Sequence, residues 1–278
     1  MPHHHHHPDH TVLAAGPSVI DWLIAAVALG ALAAYLLAAG RLRRRGDAWP
    51  VSREVSFGAG AVALAVGVLI PLPGQPFTAH MAHHLIVAMG APLLLVLGRP
   101  VTLAVRALPP RRPRRALLTT ARSRPVRWLL FPPLAALLDI GGLWLLYRTP
   151  LAATAHHRPL LDAVVQVHVL LAGLLFTFTI CQLDPVRHRW NLAWRGVTLL
   201  VAGAAHAVLA KSLYAAPPLD TAYTGDDLHT AAQAMYYGGD LVEVAIATVL
   251  AVQWYTATGR THARRLRHTA PDLARSRL

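Results

Sequence analysis

The sequence predicts an all-α fold, a polytopic membrane bundle of seven transmembrane helices, and three observations carry that prediction. Of its 278 residues, 55% are hydrophobic and 14% charged, against roughly 25% charged in an average soluble domain. The charges collect in short blocks between apolar stretches of about 20 residues, enough to cross a hydrocarbon core of about 30 Å. Lysine and arginine also alternate from side to side. The connections 41–53, 99–127, 187–195 and 260–277 hold 23 of the 26, leaving Arg148, Arg158 and Lys211 opposite. The positive-inside rule then places the N-terminus outside and the C-terminus in the cytoplasm, as an odd number of spans requires.

Span one covers 18–40. It follows neither a basic n-region nor a cleavage site, so it reads as a retained helix. Span two, 52–70, is short and ends at the turn Pro71-Leu-Pro-Gly-Gln-Pro76. Span three, 80–98, opens on a histidine cluster. The connection 99–126 is dense in proline and arginine, which oppose a packed core, although 101–108 or 114–121 can form a short interfacial helix. Its arginines suit anionic headgroups. Span four, 127–147, contains Pro132-Pro133, which predicts a kink. The loop 148–161 exposes His156-His157. Span five, 162–182, ends at Cys181, and span six covers 196–215. The loop 216–231 carries Pro217-Pro218, Asp220, Asp226, Asp227 and His229. Span seven, 232–257, completes a membrane domain of 18–257, flanked by a His-rich arm (1–17) and a basic cytoplasmic tail (258–278).

Several function classes drop out. A net charge of +13 suggests nucleic acid in a soluble chain, but the charge here is divided by membrane side, so no nucleic-acid partner is expected. One cysteine, Cys181, builds no intrachain disulfide and no Cys-x-x-Cys copper or haem site. No Ser-His-Asp grouping, phosphate loop or His-Glu-x-x-His motif argues for an enzyme. The run His3–His7 binds metals whether it is an expression tag or a native arm, and both readings stay open.

The chemistry gathers at one depth. His80, His83 and His84 fall at i, i+3 and i+4 on one helix face, with Met81 beside His84. Imidazole and thioether form a ligand set that suits copper. At ~1.5 Å per residue, His168 lies about 9 Å below the outer start of span five and His206 about 14 Å below the outer end of span six. Asp139 and Asp240 are each ~12 Å deep, Glu243 is near the midplane and Met235 near the outer surface. Intramembrane ionisable groups are functional hypotheses by default. Spans of both directions carry them toward the outer face, which predicts an outward-opening polar pocket. His80, His84, His168 and His206 are candidate ligands there, and His83 joins them, backs them or is exposed. Asp139, Asp240 or Glu243 are placed to orient imidazoles. Asp226 and Asp227 read as a solvated loop or the N-cap region of span seven.

His80-Met81-x-x-His84, continuing through Ala91-Pro92-Leu-Leu-Leu-Val-Leu-Gly98-x-Pro100, resembles the caa3-type cytochrome c oxidase assembly factor family called CtaG. Thr149-Pro150-Leu151, His168 with Gly173-Leu-Leu-Phe176, Asp184-Pro185, His206, and Asp227 eight residues before Met235 extend the likeness over about 50–257. The resemblance implies copper handling by His80, Met81, His84, His168 and His206, with Asp227 and Met235 in support. It also implies delivery to a haem-copper oxidase on the outer side of a bacterial plasma membrane. His83 stands where the family commonly has glutamine, and Leu228 and Tyr236 where it has glutamine and tryptophan.

The leading expectation is therefore a non-enzymatic, chaperone-like copper-handling assembly factor. Its partners would be the lipid bilayer, an oxidase subunit and a periplasmic copper donor. Two alternatives are a b-type haem protein using His168 and His206 as axial ligands, and a copper permease. The permease needs polar residues continuing to the cytoplasmic face, where spans three and five run apolar.

Overall fold

Six helices are long and apolar enough to cross a membrane in the computed structural model, which describes residues 16–109, 112–121, 123–185, 189–223 and 225–275. The His-rich arm up to residue 15 lies outside them. Helix α1 (Val19–Arg44) starts at a reciprocal cap: the Ser18 hydroxyl accepts from the Asp21 amide, and the Asp21 carboxylate accepts from the Ser18 amide. It runs past residue 40 to a last turn bearing Arg41, Arg43 and Arg44, where cations suit the helix dipole. An Arg43–Glu54 ion pair ties it to α2 (Val51–Leu69).

The third span starts before His80 and is not one regular helix. It comprises α3 (Pro76–His84), a π-helical segment (Leu85–Gly90) and α4 (Ala91–Leu97). Pro92 has no N–H for the carbonyl four residues back, that of Ala88, and its ring presses on that carbonyl. A widened turn relieves the clash. Gly173 packs so closely on the same carbonyl that a methyl group there would collide with it.

The 99–126 connection folds as short helices, α5 (Pro100–Ala107), α6 (Arg112–Ala121) and α7 (Arg124–Leu129). The fourth apolar segment departs from expectation. The chain breaks at Leu130–Phe131, and Pro132 opens α8 (Pro132–Ala136), where a missing N–H costs no hydrogen bond. Pro132-Pro133 therefore starts a helix rather than kinking one. The irregularity falls instead at a second π segment (Leu137–Gly141), followed by α9 (Gly142–Arg148). This broken segment is not among the six long helices, so length and composition do not establish a seventh span. After α10 (Leu151–His156) come α11 (Pro159–Cys181) and α12 (Leu192–Ala215). Helix α13 (Gly225–Arg275) begins before residue 232 and continues as helix to Arg275, within the basic tail.

Packing divides the bundle into two ends. At the histidine-bearing end, Phe77, Met81, Tyr147, Leu209, Leu213 and Met235 form one apolar cluster. At the arginine-bearing end, Tyr35, Leu42, Trp49, Phe57 and Leu103 form another. There the Tyr35 hydroxyl donates to the Gly98 carbonyl at 2.7 Å and accepts from the Trp49 indole at 3.2 Å.

Each end is also closed by the same clamp. Asp227 of α13 accepts from the Phe77 amide (2.9 Å), the Thr78 amide (2.8 Å) and the Thr78 hydroxyl (2.7 Å), at the open N-terminus of α3. Asp184, beyond α11, accepts from the Val101 amide (3.3 Å), the Thr102 amide (2.7 Å) and the Thr102 hydroxyl (2.5 Å), at the start of α5. Both helices begin Pro-x-Thr. The proline leaves the next two amides as free donors, and a carboxylate from a distant helix satisfies them. Asp227 is thus a buried cap on another helix, not a solvated loop residue.

Candidate functional site

Span three points its polar residues in two directions. His80, His83 and His84 line a cavity of about 200 Å³ between α3, α9 and α11, together with Tyr147, Asp162 and Gln166. The His80 Nε2 lies 2.9 Å from the Tyr147 hydroxyl. Gln166 donates to Asp21 of α1 at 2.5 Å, so carboxylates stand near the cavity on two helices. Phe77 stacks on Tyr223. Burial, then the nearby Asp227 carboxylate, raises the Tyr223 hydroxyl above the ordinary phenol range, so it stays neutral beside this site.

His84 also faces away from the cavity. Its ring lies 6.5 Å from that of His206 on α12, the planes 26° apart. His206 is 0% exposed and His84 5%. His84 Nε2 and both His206 ring nitrogens are buried without a hydrogen-bond partner. Glu243 Oε1 stands 3.5 Å from His206 Nδ1, close enough for ion pairing but not for a good hydrogen bond. The neighbouring helices make room reciprocally. Gly239 of α13 lies flat against the His206 ring, and Gly203 of α12 lies flat against the Glu243 carboxylate. A side chain at either glycine would occupy the space those groups fill.

The two thioethers share one place. Met81 and Met235 are both fully buried in the cluster at the histidine end. Met81 lies one turn before His84, and Met235 one turn before Gly239. Both therefore sit a turn nearer the histidine end than the His84–His206 pair. Asp139 occupies the second π segment, within electrostatic reach of Glu243, and Asp240 lies one turn from Glu243.

The structure thus joins His84 to His80 and His83 on one side and to His206 and Glu243 on the other. It does not bring His168 to them. His168 is exposed, and its Nε2 lies 3.1 Å from the carbonyl of Leu138, in the second π segment. Among the described residues, no three His, Cys, Asp or Glu side chains converge on one point. Cys181 is buried at the far end of α11. Sequence reasoning passed over Tyr147, Asp162 and Gln166. Gln166 carried a signal, an amide inside an apolar helix, four residues from Asp162 and so on the same face.

The fold and this site define a multi-pass helical membrane protein with histidines and methionines at one end. A family model described as the cytochrome c oxidase caa3 assembly factor (Caa3_CtaG) matches residues 33–257, and the chain belongs to that family. Uncharacterized proteins of Mycobacterium bovis, Mycobacterium tuberculosis and Mycobacterium leprae are each 35% identical to it. The aligned stretches are 174, 174 and 175 residues, 59% of this chain and 26% of each relative. The chain therefore spans about a quarter of the length of the curated relatives it matches. No solved structure matches it.

Proposed function

We propose that this chain assists assembly of a cytochrome c oxidase by taking up copper at its histidine end and passing it to an oxidase subunit. The observation that carries the reading is the pair of buried imidazoles, His84 and His206, with three ring nitrogens left without a hydrogen bond. An unsatisfied buried polar group costs ~1–3 kcal/mol and calls for an explanation. Binding a soft cation between the rings supplies one. Met81 and Met235 a turn away add thioethers that favour Cu(I), and Glu243 is placed to orient His206.

His80 and His83, in the adjacent cavity, are the receiving groups, with His84 shared between cavity and interior. Two or three soft ligands rather than a closed four-ligand cage suit a carrier that must release its cargo. In this reading α8, the second π segment and α9 form a seventh span. At ~1.5 Å per residue they rise about 25 Å, short for the hydrocarbon core. The N-terminus and the histidine end then face outward. A copper donor in that compartment is the remaining partner. The haem alternative asks His168 to serve as an axial ligand, and its Nε2 is already engaged by the Leu138 carbonyl.

The test is copper stoichiometry of detergent-purified protein with residues 3–10 deleted. Replacing His84 and His206 by leucine removes the nitrogens while keeping most of the volume. Bound copper is expected to fall to background with the melting temperature held or raised. Unchanged stoichiometry in the double variant would overturn the proposal, and a Soret band in the parent protein would favour haem.

A further inference from the structure

Between α1, α2, α4, α5 and α11 runs a groove of about 710 Å³ whose lining is entirely apolar, from Ile20 and Val167, beside the Asp21–Gln166 contact, toward the arginine end. Along α11 it extends from Val167 to Phe178, about 16 Å, or roughly the depth of one leaflet. It opens sideways past Val27 and Leu171, both exposed. Its floor at the arginine end is Phe57 and Pro100. Arg53 lies one turn before Phe57 on the same helix face, and Arg99 directly precedes Pro100 in the left-handed conformation (φ 52°).

Just beyond that floor arginines outnumber carboxylates, with Asp184 also acting on Arg53. The guanidiniums of Arg53 and Arg106 lie 4.7 Å and 5.7 Å from the centre of the Trp49 ring, and Arg53 sits in the field of Arg99 and Arg106. Arg106 pairs with Asp47 at 3.4 Å, and Glu54 is taken by Arg43. Among the described residues neither Arg53 nor Arg99 has a carboxylate partner. A dry groove whose floor, Phe57 and Pro100, stands next to two arginines outside ion-pair distance of any carboxylate among the described residues complements one kind of molecule: an acyl chain with a phosphate at its head and no neutralising amine.

We infer that this groove holds an anionic phospholipid, its chain along α1 and α11 and its phosphate on Arg53 and Arg99. Basic pockets between membrane helices recognise such headgroups, each Lys or Arg near the surface adding a comparable increment. The inference is independent of the copper reading, since it uses none of the histidines or methionines of the candidate site.

The experiment is native mass spectrometry and thermal unfolding of the full chain in detergent. Phosphatidylglycerol and phosphatidylcholine of identical acyl chains are added in turn. A single retained phosphatidylglycerol adduct and a higher melting temperature are expected, with phosphatidylcholine, whose choline cation offsets its phosphate, weaker by about tenfold or more beside two arginines. R53Q/R99Q should erase that preference. Ala31→Phe, at an exposed groove position, should remove both adducts without unfolding the bundle. Equal retention of the two lipids by the parent protein would overturn the inference. So would a phosphatidylglycerol preference surviving in R53Q/R99Q, or adducts unaffected in Ala31→Phe.

Discussion

The two ends of the third span are built alike and equipped differently. At one, Asp227 clamps Pro76-Phe77-Thr78; at the other, Asp184 clamps Pro100-Val101-Thr102, with the same three acceptances in the same arrangement. Past the first clamp come His80, His83 and His84, one ring nitrogen of which is buried without a partner. Past the second come Leu103, Ala104 and Val105. Because the clamp recurs where no histidine follows, it is structural: it closes a helix N-terminus that proline has opened. The imidazoles are an addition to a frame that stands without them. That separates residues whose loss should unfold the protein from residues whose loss should only silence it.

The largest effect tests the shared part. Asp227→Ala and Asp184→Ala each remove a buried charged acceptor from two helix-terminal amides, and each should cost ~3 kcal/mol or more in denaturant unfolding. If only one of the pair is costly, the clamps are not equivalent. The comparison sharpens if both variants unfold alike while copper is lost first at Asp227→Ala, whose clamp holds the histidine helix.

A smaller effect concerns the room made for His206. Gly239→Ala drives a methyl group into the ring and should cost ~1–3 kcal/mol as overpacking, with bound copper reduced as the ring shifts. Normal copper in a folded Gly239→Ala protein would show that the position of His206 is not important. The smallest effect is His168→Ala. It removes one hydrogen bond to a π-segment carbonyl, about 1 kcal/mol in a melt, and should leave copper stoichiometry unchanged. Copper loss there would restore His168 to the site and undo the division drawn above.

Much of this was open to sequence reasoning, and the residues show where it stopped. Hydropathy predicted seven spans, six of which stand as long apolar helices, because a bilayer imposes a length on each span. The same reasoning put a kink at Pro132-Pro133, where the structure begins a helix instead. Proline is tolerated at a first turn, and nothing local says on which side of it the chain will break. Asp227 was legible as a helix cap but assigned to its own helix. Its true partners lie some 150 residues away in Phe77 and Thr78, beyond the reach of any local rule.

The candidate site divides the same way. His80, His83 and His84 share a face by helix geometry alone, and the structure places all three on one cavity. The sequence by itself determined the membrane class and that helical face, since spacing and composition suffice when the solvent is a bilayer and the period is 3.6 residues. Only tertiary structure decided that His84 meets His206 while His168 turns to a backbone carbonyl. The rotation of one helix against another is set by which small residues let them approach, and Gly239, Gly203 and Gly173 exert that choice only once the helices are packed.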